Sequence, residues 1–173
     1  MSIQLSKQQT AVQAARLAEV RPELRAAYGV ALGRWQGDPR LMLLGLPLVT
    51  EGYRSDAVQA AYYAQGRSGL LELNRLRLAA GLVAFPVESV EARRIITYKR
   101  PGTSNHNHLP SWAIDVALLQ ADGSVRWDAG ALLLFSRLVR AADKRVVWGG
   151  DWDSDGRTDD EKLHDWPHFE LTG

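Results

Sequence analysis

Four histidines fall in the last part of the chain, as His106 and His108 ahead of Asp115 and as His164 and His168 around Asp165. The chain has no Cys, so a thiolate metal site, a Cys nucleophile and a disulfide are all excluded. A metal ion would have to be held by His, Asp or Glu. Catalytic zinc takes three such ligands and leaves a fourth position for water. The ion lowers the pKa of that water and polarises a carbonyl, and a nearby carboxylate takes the proton. The alternative is two hydrogen-bonded His/Asp pairs with no metal, and composition alone leaves both open.

Local geometry narrows the candidates. Asp115 lies in Ala113-Ile114-Asp115-Val116-Ala117-Leu118, a stretch with strand character. Its side chain should point opposite to Ile114 and Val116, and a carboxylate on a buried strand needs a partner such as a metal. Pro167 rules out a regular helix across His164–His168, so these two are not the i, i+4 pair of a helical zinc motif. His168 and Glu170 should share one face of a terminal strand. A second group, Asp151-x-Asp153-x-Asp155-Gly156-x-x-Asp159, opens like a calcium loop. Alternate carboxylates put oxygens on one side and Gly permits the sharp turn. Position twelve is Lys162 rather than Glu, although Glu161 adjoins it. The competing reading is a solvated acidic turn. The loop leads directly to Asp165 and His168, so Ca2+ bound there would order that region.

The elements that must position these groups form an α+β pattern, helices first and a strand-rich half after them. Helical spacing over 6–35 starts at Ser6 and is split by Pro22. A short apolar run, 41–50, reads as a helix end and a buried strand. Helices are expected over 56–65 and 70–80, closed by Gly66 and Gly81. RRIITYK (93–99) and AIDVALLQ (113–120) have strand character, and Asp122-Gly123 signals a hairpin. Asp128 caps a helix over 129–142, and RVVW and WPHFEL read as strands. Trp148–Trp152 reads as a strand end, a Gly turn and core aromatics. The 173 residues fit one domain, 1–173, with 1–40 as its N-terminal helical part. A net charge of +1 argues against a dedicated nucleic-acid binder. No stretch approaches the ~18 apolar residues of a membrane span, and the polar N-terminus lacks the apolar core of a signal peptide.

Four stretches carry a resemblance to a known family. They are Glu51-Gly52-Tyr53-Arg54-Ser55 with Gln59 and Tyr63-Ala64-Gln65-Gly66-Arg67; Ser104-x-His106 through Ala113-x-Asp115; Trp148-Gly149-Gly150-Asp151-Trp152; and Asp165-x-Pro167-His168-Phe169-Glu170. In order and spacing they resemble the D-alanyl-D-alanine carboxypeptidase-like zinc metallopeptidases, most of all phage endolysins of the L-alanyl-D-glutamate endopeptidase type. The resemblance implies a Hedgehog/DD-peptidase-like fold: a small antiparallel sheet carrying the zinc site, packed with helices. It implies Zn2+ held by His106, Asp115 and His168, with Asp165 as general base and Arg54 stabilising the carbonyl oxygen as charge develops. Ser104 would support the site by hydrogen bonding. The commoner family spacing fits His108 as first ligand; the longer form, with Asn107, Pro110 and Ser111, fits His106 and is favoured.

The expected function is hydrolysis of the L-Ala–D-Glu bond of the peptidoglycan stem peptide. The enzyme would be a monomer, made in the host cytoplasm and passed to the periplasm and wall by holin-type release. The rivals are a D-Ala-D-Ala carboxypeptidase or dipeptidase, and a non-catalytic, zinc-stabilised wall-binding module.

Overall fold

Ser6 starts the first helix through a capping box, its Oγ accepting from Gln9 N–H and its own N–H donating to Gln9 Oε1. Pro22 starts the second helix at its first position, where no backbone donor is needed. In chain order the elements of this computed structural model, which describes residues 3–172, are α1 (Lys7–Ala18), α2 (Pro22–Gly37), α3 (Pro39–Met42), β1 (Leu46–Glu51), α4 (Asp56–Ala64), α5 (Leu70–Ala79), β2 (Ala113–Leu119), β3 (Val125–Arg126), α6 (Ala129–Ala142), β4 (Val146–Trp148) and β5 (His168–Leu171). Short 3-10 turns span Glu91–Arg93 and Asn105–Asn107. The fold is α+β, as the sequence pattern implies. The elements gather into two compact units. One runs to Tyr53 and resumes at Leu109; the other is Arg54–His108.

The first unit holds the antiparallel sheet, in the order β1-β2-β5-β4 with β3 also paired to β2. The Asp122-Gly123 turn makes the β2–β3 hairpin, with Gly123 at a φ of 82°. Strand β2 is central and its pleat sorts its side chains. Ile114, Val116 and Leu118 enter the main core, whereas Asp115 faces the other way. Helices α2 and α6 cover the core face. Phe135 of α6 is fully buried and meets Tyr28, Trp35 and Phe169 edge-on, with ring centroids 5.9, 5.6 and 6.0 Å away. Trp148 is core as well. Helix α1 satisfies the free edge of β1: Gln13 bonds both N–H and C=O of Val49, and Arg16 donates to the same carbonyl.

The second unit packs α4 on α5 around Ala64, Leu73 and Ala92. Gly66 takes a φ of 73° just beyond α4, and an added Cβ there would collide with the Arg94–Ile95 backbone. The strand expected over 93–99 does not form. Ile95, Ile96 and Tyr98 are 45, 42 and 70% exposed, and this unit has no strand among its described residues to pair with. β-branched residues favour a pleated surface only where a partner strand exists. The segment instead offers single backbone acceptors: Thr97 O to Arg67 and Lys99 O to Gln59.

Candidate active site

In the sheet-bearing unit, the register assembles a cluster of donors on the face away from the main core. Asp115 is the Cα partner of His168 on β5 and of Glu51 on β1. Residues directly opposite share a face. A bulge between Val49 and Glu51 takes Thr50 out of register, so that Glu51 rather than Thr50 opposes Asp115. Thr50 Oγ1 donates to Asp115 O instead. Two residues along β5, Glu170 returns to the face of His168, while Phe169 between them enters the core.

His168 is thereby clamped. Its Nδ1 lies 3.3 Å from Asp115 Oδ1 and its Nε2 lies 2.8 Å from Glu170 Oε2. Burial alone would push the imidazole pKa down. The hydrogen bonds to Asp115 and then Glu170, with the charges of Asp115 and Asp165, outweigh it and raise the pKa to about 10. With both nitrogens protonated, the ring is a cation held between two carboxylates. Asp115 and His168 offer ligand atoms within 4.8 Å of one another, a His/Asp pair suited to a metal. One nitrogen can then ligate while the other keeps a carboxylate partner, the arrangement that fixes a metal-bound imidazole.

Asp165 is held by its backbone. Its N–H donates to Gly149 O at 2.7 Å and its carbonyl accepts from His168 N at 3.0 Å. The residue is exposed. The approach explains the first Gly of Trp148-Gly149-Gly150: a Cβ on Gly149 would collide with the Asp165 carbonyl, and one on Gly150 with the Trp148 ring. Trp152 lies over His168 at 5.5 Å between ring centroids and donates to Leu163 O. His164 is exposed, bonds Thr158 O and stacks on Trp166 at 4.5 Å.

The acidic loop belongs to the same unit. Asp151, Asp153 and Asp155 bring ligand atoms within 4.8 Å of one another. Asp159 is not part of that group. It pairs with Arg157 at 3.3 Å, which holds its carboxyl below the usual range.

The second unit carries Arg54 and His106 at its two ends and ties them together. Arg54 N–H donates to His106 O at 2.9 Å, and Asn107 Nδ2 donates to Arg54 O at 2.8 Å. The Arg54 guanidinium donates to Gln59 Oε1 at 2.9 Å and lies over Tyr62. Gln59 is fully buried and fixed in turn by Lys99 O. Ser104 caps the turn that carries His106, its Oγ accepting from His106 N–H. His106 is buried at 2% exposure, whereas His108 is exposed. The sequence motifs contained Gln59 and Glu170 but assigned neither a partner. For Glu170, the signal was its i+2 spacing from His168 on a strand.

Fold and donors together define the class: an α+β chain whose small antiparallel sheet presents a His/carboxylate cluster able to hold a metal ion. No family model matches the chain. It is 30% identical over 131 residues to the peptidoglycan L-alanyl-D-glutamate endopeptidase CwlK of Bacillus subtilis (strain 168), covering 72% of this chain. The chain spans 59% of that relative's length. It is also similar to the crystal structure of the Serratia marcescens L-Ala D-Glu endopeptidase ChiX, with a TM-score of 0.53 and 27% identity over 94% of this chain and 88% of that one. The chain is therefore a homologue of proteins named L-alanyl-D-glutamate endopeptidases.

Proposed function

We propose that the chain is a zinc-dependent peptidase of bacterial peptidoglycan that hydrolyses the L-Ala–D-Glu bond of the stem peptide. The observation that carries this reading is the clamped His168, opposite Asp115, in a chain whose relatives CwlK and ChiX bear that activity in their names. His106 is the third ligand. The donor set, two imidazoles and a carboxylate, suits a catalytic zinc. Burial favours His106 over His108.

Bound zinc supplies Lewis-acid polarisation of the scissile carbonyl and activation of water. The chain's own groups do the rest. Asp165 takes a proton from the attacking water and passes it to the leaving amine. Arg54, its guanidinium oriented by Gln59 and Tyr62, stabilises the negative charge that develops on the carbonyl oxygen. Glu170 holds His168 in one orientation.

The biological setting we propose is host lysis by a bacteriophage, with a monomeric enzyme made in the host cytoplasm and released to the wall by a holin. No helix among the described residues is long and apolar enough to cross a membrane. Mass spectrometry of purified peptidoglycan, digested with and without a chelator, tests the chemistry. New N-terminal D-Glu that disappears with chelator is the expected result. Released D-Ala would replace the proposal with a carboxypeptidase, and no new termini would leave a wall-binding module.

A further inference from the structure

The acidic loop between β4 and Asp165 takes no part in the proposed hydrolysis, yet it holds a carboxylate oxygen with nothing to bond. Asp151 is 4% exposed. Its Oδ2 is fully used, accepting from Arg140 Nη1 at 2.9 Å and from Gly156 N–H at 3.1 Å. Its Oδ1 is buried without a hydrogen-bond partner. A buried unsatisfied carboxylate oxygen costs free energy. Asp153 and Asp155, both exposed, bring ligand atoms within 4.8 Å of that of Asp151. Asp151, which carries the unpartnered oxygen, is thus one of a group of three carboxylates.

We propose that Asp151, Asp153 and Asp155 form a second metal site, distinct from the His168 cluster, that binds a hard divalent cation of the calcium class. The donors are all oxygen, which excludes a preference for zinc. Alternate spacing puts one carboxylate on the ion from every second residue, and Gly156 at a φ of 93° lets the chain turn after the third. Binding gives Asp151 Oδ1 the partner it lacks.

Affinity follows from charge count. Arg140 already neutralises part of Asp151. Asp159 is engaged by Arg157, and Lys162 stands where a bidentate Glu would complete a tight loop. Glu161 accepts from the N–H groups of Trp152 and Asp153. These features place the site in the weak class, with a Kd on the order of 10⁻⁴–10⁻³ M. The loop includes Trp152, which covers His168, so an ion here orders a residue in contact with the catalytic cluster.

Trp152 also provides the assay, because it lies between two of the ligands. Terbium(III) is added to the zinc-loaded full chain, Trp is excited and lanthanide emission is read. Sensitised emission that millimolar Ca2+ displaces, and equal Mg2+ displaces much less, is the expected result. The paired variant Asp153→Asn with Asp155→Asn should lose at least tenfold in Ca2+ affinity. These side chains are exposed, so the variant folds where a change at buried Asp151 could fail to. Ca2+ at tenfold excess over Kd should also raise the melting temperature by about 3–6 °C in the parent chain only. Absence of sensitised emission, or emission and Ca2+ displacement unchanged in the paired variant, overturns the proposal. No readout depends on peptide hydrolysis, so the outcome is independent of the reading of the His168 cluster.

Discussion

Replacing Glu170 by Gln keeps an oxygen facing His168 Nε2 but removes the charge that helps hold the ring as a cation. In the metal-free chain the His168 pKa is about 10, against an ordinary value of 6.5. A pKa raised on folding contributes stability that is complete below the unfolded value and is lost as pH rises through the folded one. Here that window runs from about pH 6.5 to about pH 10, and a rise of this size corresponds to roughly 4–5 kcal/mol. On the proposed zinc reading, the ion displaces a proton from the nitrogen facing Asp115, so apparent zinc affinity should climb about tenfold per pH unit across the same window. Glu170→Gln has two opposed effects. It weakens the ligand by about 10–100-fold, the usual cost of losing a carboxylate behind a metal-bound imidazole. It also lowers the His168 pKa, which reduces proton competition near neutrality. The variant's deficit should therefore be small at pH 6 and grow towards pH 9. Competition with a chromophoric chelator at several pH values measures it, with urea unfolding of the metal-free proteins alongside. A deficit independent of pH, or none at all, would refute the idea that Glu170 acts through the His168 proton.

His106→Ala should lower zinc affinity by at least a hundredfold, whereas exposed His108→Ala should change it less than threefold; metal titration of both separates the two candidates. Asp165→Asn should reduce hydrolysis of purified peptidoglycan by 10²-fold or more, the scale of general-base catalysis, while leaving zinc bound. Phe135→Ala removes a fully buried ring that meets three other aromatic residues, and denaturant unfolding should show a loss of about 3–5 kcal/mol. Gly149→Ala forces a Cβ against the Asp165 carbonyl, so thermal unfolding should show a lower melting temperature than in the parent chain.

Much of this molecule is legible in the residues alone, because the information is local. Ser6 and Asp128 cap helices by bonding amides three residues on, and Pro22 and Asp122-Gly123 act within a turn. Strand periodicity orients Asp115 away from Ile114 and Val116, and places His168 and Glu170 on one face, because side chains alternate whatever the strand pairs with. The donor types follow from the lack of Cys. Partnership is different, since it depends on which strands meet and in what register. The 93–99 segment has the composition of a strand but no strand to join. Glu51 opposes Asp115 only because the β1 bulge displaces Thr50, and that bulge lies where Gln13 and Arg16 reach from α1 to Val49. Pairing β2 with β5 brings remote Asp115 to the His168 that Glu170 already flanks on β5, and the resulting clamp raises a pKa. The close pass of Asp165 over Gly149 and the pairing of Arg140 with one oxygen of Asp151, which leaves the other without a hydrogen, likewise arise only when the chain folds. Residue types and local periodicity determined which donor groups this protein carries and which of them share a strand face. Only the tertiary structure decided which groups face one another, because register and close approach are properties of paired segments and not of either segment alone.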